Sequence, residues 1–100
     1  QTMHSCTNMI QQQAQGELKT LLAKLEQEVK SLMPQLPEEK QAEATKDWEL
    51  LVKEATSPTP SRKWYSVSSE GLLEASKWVK DFTGNIGETV GKLGKLLWPV

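Results

Sequence analysis

Apolar residues recur with a heptad spacing between positions 18 and 32, which points to a fold built from packed helices. The repeat has alternating steps of four and three residues and consists of Leu18, Leu22, Leu25, Val29 and Leu32. This spacing is typical of a helix face that packs on another helix. We predict a helix over residues 15–33, ending before Pro34 because proline disfavours helical backbone in the preceding residue.

A second amphipathic segment follows a short turn that contains proline. Pro37 suits the first turn of a helix, and Glu38 and Glu39 complement the positive end of its dipole. The apolar face of this segment consists of Ala44, Trp48, Leu51, Val52 and Ala55. Because the turn is short, we expect an antiparallel helical hairpin over residues 16–56.

Two further prolines follow the hairpin. Pro58 and Pro60 lie among serines and threonines, and they predict an extended linker. We assign residues 57–68 to a Pro/Ser linker that ends in the basic-aromatic turn Arg62-Lys63-Trp64-Tyr65. The aromatic residues of this turn could stack on bases or lie at a membrane surface. Only two basic residues support those functions, so the favoured interpretation is that the turn covers one end of the bundle.

One apolar stripe continues through residues 69–98, where Ser68 or Ser69 could cap a helix. The stripe consists of Leu72, Ala75, Val79, Phe82, Ile86, Val90, Leu93 and Leu97. It passes Thr83-Gly84-Asn85 without losing phase. The pattern therefore predicts a long C-terminal amphipathic helix, either as one helix kinked at that site or as two helices nearly in line.

Glycines form a second stripe on the same segment. Gly84, Gly87, Gly91 and Gly94 follow one another at steps of three, four and three, and small residues at such spacing permit close backbone approach. The stripe is compatible with helix packing within a bundle or oligomer, with a flexible tail, or with insertion into a membrane interface. Our candidate interaction residues are these four glycines together with Ile86, Val90, Leu93, Leu97, Trp98, Trp64 and Tyr65.

Residues 1–15 carry no Asp, Glu, Lys or Arg and are rich in Gln, Thr, Ser and Asn. Such composition buries little apolar surface, and it predicts a flexible polar tail or an upstream linker. A Gln-rich assembly motif is the alternative. His4 and Cys6 supply too few ligands for a metal site, so we expect no metal.

The composition of the 100-residue chain excludes several classes of protein. Twelve basic and thirteen acidic residues give a net charge of −1, which creates no field that would attract nucleic acid. One cysteine excludes a scaffold held together by disulfide bonds within the chain. No run of 18 apolar residues is present to span a bilayer, and no catalytic or phosphate-binding motif occurs. We therefore expect no enzymatic activity, no cofactor and no small-molecule substrate.

Charge is distributed unevenly between the two halves. Residues 17–56 carry six positive and nine negative charges, and residues 57–100 carry six positive and four negative charges. The halves are therefore mildly complementary, with net charges of −3 and +2. This distribution suits packing of the halves on each other or on further copies of the chain.

The segment Arg62–Ala75, preceded by Leu36-Pro37-Glu38-Glu39-Lys40, resembles the C-terminal helical module of uncharacterised bacterial multidomain proteins. These include signalling, defence-type and pentapeptide-repeat proteins. The resemblance implies an accessory role in self-association or membrane contact, in the bacterial cytoplasm or at the membrane surface. The glycines depart from the Ala and Val expected in such last helices.

Together these patterns predict an all-α chain whose function is interaction rather than catalysis. Self-association of a larger bacterial protein is the leading hypothesis. The alternatives are a membrane-contacting amphipathic helix and a scaffold that binds the helices of another protein.

Overall fold

The computed structural model describes residues 2–80, 82 and 84–99, and every regular element in that part of the chain is helical. The prediction of an all-α fold is confirmed. Five α-helices and one short 3-10 helix follow one another: α1 (Thr2–Gln13), α2 (Gly16–Leu32), the 3-10 helix (Met33–Gln35), α3 (Glu38–Thr56), α4 (Arg62–Lys77) and α5 (Ile86–Leu97).

The apolar faces of all five helices meet in one core. Leu22, Leu25 and Val29 of α2 are fully buried there, and so is Trp48 of α3. α2 therefore buries the heptad face identified in the sequence, and its end at Leu32 lies one residue before the expected one. Burial of large apolar side chains such as these provides most of the stabilisation of a small helical domain.

The structure has helix α1 where we expected a flexible tail. Cys6, Ile10 and Ala14 follow one another at steps of four, and all three are buried against the core. α1 packs on α3 and on α2. The chain then turns at Gly16, whose φ of 61° lies in the left-handed region that favours glycine. The prediction of a flexible tail was wrong, because this uncharged segment contains an apolar stripe with helical spacing.

Helix α3 makes its most extensive contact with α4 and also packs on α1, whereas α2 packs mainly on α5. The expected hairpin of residues 16–56 is therefore not the main pairing. Instead α3 and α4 run antiparallel, and Lys40 lies beside Trp78 at one end of the pair. At the other end Glu54 Oε1 accepts a hydrogen bond from the Ser61 backbone N–H at 2.8 Å. The proline segment acts as the turn of this α3–α4 hairpin.

Helix α4 begins at Arg62, seven residues before the helix start predicted at residue 69. Ser61, rather than Ser68 or Ser69, caps the helix, and its hydroxyl accepts a hydrogen bond from the Trp64 N–H at 3.4 Å. The basic-aromatic segment is consequently the first turn of α4 and not part of the linker. Ser68 is buried inside the helix, where its hydroxyl donates to the Trp64 carbonyl at 2.9 Å.

The C-terminal part forms two helices that are not in line. Asn85 caps α5 through its side chain, which accepts a hydrogen bond from the Glu88 N–H at 3.2 Å. α5 folds back along α4, so that Gly87 lies near Leu73 and Gly94 near Tyr65. Neither a kinked helix nor collinear helices describes this arrangement. Thr83, which formed part of the expected kink, lies outside the described residues.

Candidate interaction surfaces

Most of the apolar candidates on α5 form part of the core. Ile86, Val90 and Leu93 are buried. Leu97 and Trp98 are partly buried and pack against the same cluster. These residues stabilise the bundle and leave little apolar surface for a partner.

Two of the four glycines in the stripe face helix α4 of the same chain. A Cβ at Gly87 would stand 3.3 Å from Leu73 Cδ2, and one at Gly94 would stand 3.6 Å from Tyr65 Cε2. Gly87 therefore lies at a tight contact between α5 and α4, whereas a Cβ at Gly94 would make an ordinary van der Waals contact. Gly91 differs, because a Cβ there would meet no atom within 4 Å. Gly84 precedes α5, and a Cβ there would overlap the Phe82 ring.

Tyr65 joins the start of α4 to the end of α5. Its hydroxyl donates a hydrogen bond to the Val90 carbonyl at 2.5 Å. Its ring meets the Trp98 ring edge to face, with 5.3 Å between centroids. Burial raises the pKa of the Tyr65 hydroxyl well above its usual range. Tyr65 is therefore a structural residue and not an exposed partner-binding aromatic.

An exposed apolar stripe lies instead on the outer face of α4. Trp64, Val67 and Trp78 are 47%, 46% and 61% exposed, respectively. Their spacing of three and eleven residues keeps them on one side of the helix. The sequence analysis included Trp64 among the candidate interaction residues but did not include Val67 or Trp78. Exposed tryptophans on one helix face are typical of protein–protein contact sites.

Beside this stripe a groove of about 460 Å³ runs between α3 and α4. We call it the α3–α4 groove, and its lining consists of Lys40, Glu43, Ala44, Asp47, Gly71, Glu74, Ala75 and Trp78. Three carboxylates and one ammonium group give the lining a net charge of −2. Desolvation, with a smaller contribution from neighbouring Glu43, raises the pKa of Asp47. The groove is therefore acidic and has an exposed indole at one end.

The Trp78 ring already contacts a cation. Lys40 Nζ lies 4.8 Å from the ring centroid, within the range of a cation–π interaction. Lys40 is also 3.9 Å from Glu43 Oε1, in an exposed pair that contributes little stability.

A surface of opposite charge lies on α5. Gly91, Lys92, Lys95 and Leu96 are all exposed on this helix, and we call them the basic edge. Leu96 is 37% exposed and borders a shallow depression against α2 that also contains Leu21 and Glu17. Lys92 makes only a long contact of 4.0 Å with Glu88, and both side chains are more than half exposed. The basic edge thus combines an open backbone position, two lysines and one exposed leucine.

Metal ligands do not cluster in the described part of the chain, where no three His, Cys, Asp or Glu residues meet in a group that could hold an ion. The His4 side chain lies outside that part. Cys6 is buried, and desolvation, together with Glu49 and Glu26, raises the pKa of its thiol to about 11. At neutral pH this thiol remains protonated and unreactive. None of the helices, over the residues described, has the length and apolar character needed to cross a bilayer.

Comparison with known protein families, with curated proteins and with solved structures found no match. The resemblance of residues 62–75 to bacterial helical modules stays a prediction.

Proposed function

We propose that this chain is a helical interaction module that associates head to tail with further copies of itself. In this arrangement the basic edge of one copy lies in the α3–α4 groove of the next. The observation that carries the proposal is the presence, on one small domain, of an acidic groove and a basic edge that both expose apolar side chains.

Charge complementarity favours a second copy as the occupant of the groove. The groove lining has a net charge of −2, and Lys92 and Lys95 of the basic edge together carry +2. Opposite potentials increase the rate of encounter and fix the register of an interface. Lys92 or Lys95 of the incoming copy would place its ammonium group near the carboxylates of Glu43 and Glu74, while Lys40 of the receiving copy stays over the Trp78 ring.

The shape of the basic edge suits entry into a groove. A helix can approach closely where it lacks a side chain, and Gly91 provides such a position without an intramolecular neighbour. Leu96 would then pack on Trp78, the exposed apolar side chain at the end of the groove. Burial of Leu96 and Trp78, both exposed in the single chain, is the expected source of affinity.

The two surfaces are different, so the interface is heterologous. Interfaces of this kind generate closed rings when the rotation between copies closes, and open chains when it does not. The assembly should therefore grow beyond a dimer as the concentration rises.

Sedimentation velocity across micromolar to millimolar concentrations tests the proposal. The wild type should show a rising average mass, and Glu43→Lys should weaken assembly about tenfold or more because it places a cation in the acidic groove. Glu49→Lys is the matched control, since it makes the same charge change at an exposed site on α3 outside the groove. A wild type that stays monomeric throughout, or equal effects of the two substitutions, would refute the proposal.

A further inference from the structure

A second recess lies where the start of α4 meets the end of α5, and its volume is about 240 Å³. Arg62 and Ser66 contribute from α4, and Gly91, Gly94 and Lys95 contribute from α5. The Tyr65 and Trp98 rings form its remaining wall. We call it the terminal recess. Among the residues that the structure describes, its lining holds two cationic side chains and no carboxylate.

The two cations lack a counter-charge. Neither Arg62 nor Lys95 makes an ion pair with any residue that the structure describes. Arg62 also lies in the first turn of α4, where backbone N–H groups without helical partners add partial positive charge. Positive potential therefore accumulates at this recess.

The C-terminal end of α5 contributes the partial negative charge of a helix terminus, about half an elementary charge, which is smaller than the two full charges of Arg62 and Lys95. The Val90 carbonyl accepts from the Tyr65 hydroxyl at 2.5 Å, and the Gly94 carbonyl accepts from the Trp98 backbone N–H at 2.8 Å. Both acceptors are thus engaged. Gly91 and Gly94 leave the wall of the recess without side chains, so a ligand could approach the α5 backbone closely.

We propose that the terminal recess binds a phosphate group. A guanidinium group pairs with phosphate oxygens through two parallel hydrogen bonds, so Arg62 would be the principal ligand. Lys95 would add a point charge, and the Ser66 hydroxyl would donate a further hydrogen bond. The recess is smaller than a typical pocket for a whole organic ligand. It therefore takes the phosphate group alone, which a soluble phosphate or the headgroup of an anionic lipid could supply.

The test measures binding of inorganic phosphate by the backbone NMR shifts of Ser66 and Gly94, and binding of vesicles by co-sedimentation. The vesicles contain phosphatidic acid in phosphatidylcholine, with pure phosphatidylcholine as the blank. Arg62→Gln should weaken whichever probe binds by about tenfold or more. Lys63→Gln is the matched control, because it removes the same charge from a side chain that lies over Trp64 and outside the recess.

Binding of either probe that is lost in Arg62→Gln and retained in Lys63→Gln supports the proposal, and the probe that binds identifies the source of the phosphate. Absence of binding by both probes overturns it, and so does an equal loss in the two variants, which would indicate general charge attraction.

Gly91 and Lys95 also belong to the basic edge, so the measurements are repeated in Glu43→Lys, which the proposed function expects to be monomeric. Binding there is expected to match that of the wild type at concentrations where the wild type is monomeric, so a failure of self-association and a failure of phosphate binding remain distinguishable.

Discussion

The carboxyl group of Asp47 on α3 occupies the space in which Gly71 of α4 would carry a side chain. A Cβ built on Gly71 would lie less than 3 Å from three atoms of that carboxyl group. Because Gly71 has no side chain, the partly desolvated Asp47 carboxylate can lie against the backbone of α4. Both residues line the α3–α4 groove, where Asp47 is one of three carboxylates.

Replacement of Gly71 by alanine tests this relationship in a double-mutant cycle with Asp47→Ala. Alanine adds about 1 kcal/mol of helix propensity, but in the wild-type background it must also displace the Asp47 carboxylate. We expect Gly71→Ala to be more favourable in the Asp47→Ala background, with a coupling free energy of about 0.5–3 kcal/mol. Urea unfolding of the four proteins measures this coupling. Strict additivity would show that the two residues do not compete for the space.

Cys6 should make the stability of the fold depend on pH in the alkaline range. Its pKa is raised from 9.0 to about 11 in the folded chain, so above pH 9 the native state retains a proton that the unfolded state loses. The free energy of unfolding should therefore fall as the pH rises through this window, by about 1.4 kcal/mol per pH unit. Glu26 and Glu49 act in the same direction as desolvation.

Thermal unfolding of the wild type and Cys6→Ala between pH 8 and pH 10 isolates this contribution. The wild type should lose about 1 kcal/mol more than the variant across that interval. The comparison stops at pH 10 because Tyr65, whose pKa is also raised by burial, adds its own loss above that value. Parallel pH profiles of the two proteins would show that the thiol is not desolvated.

Gly91→Leu separates the stability of the single chain from its assembly. A side chain at Gly91 meets no atom within 4 Å, and leucine improves helix propensity by about 1 kcal/mol, so the thermal stability should be unchanged or higher. Assembly should weaken, because the leucine would hold the basic edge away from the groove of the next copy. Ala42→Leu adds the same side chain at an exposed site on α3 outside the groove, and it should leave assembly unaffected. Stronger assembly in Gly91→Leu would instead indicate association through added apolar area.

The positions of α2 and α3 could be predicted from the sequence, because apolar spacing and proline residues together mark these helices. The heptad residues from Leu18 to Leu32 and the stop at Pro34 located α2, and the face around Trp48 located α3. The same spacing is present in α1 at Cys6, Ile10 and Ala14, whereas the uncharged, Gln-rich composition of that segment is typical of a flexible tail. Uncharged residues do not prevent helix formation when packing on a core supplies the stabilisation.

The pairing of the helices could not be predicted, because it depends on which apolar faces meet in three dimensions. A short turn favours adjacent helices as partners, yet α3 packs on α4 and α1. The start of α4 at Ser61 was missed because Ser68 and Ser69 are equally good capping residues by type. The exposure of Trp78 follows from its position at the end of the α3–α4 pair, which no local pattern records.

Two defective variants mixed together test head-to-tail assembly most directly. Glu43→Lys has an impaired groove and an intact basic edge, whereas Gly91→Leu has an intact groove and an impaired edge. An equimolar mixture therefore contains one working interface, formed by the edge of the first variant and the groove of the second. Sedimentation equilibrium should show monomers for each variant alone and a one-to-one dimer for the mixture, without larger species. A mixture that remains monomeric at concentrations where the wild type assembles would contradict head-to-tail association through these two surfaces.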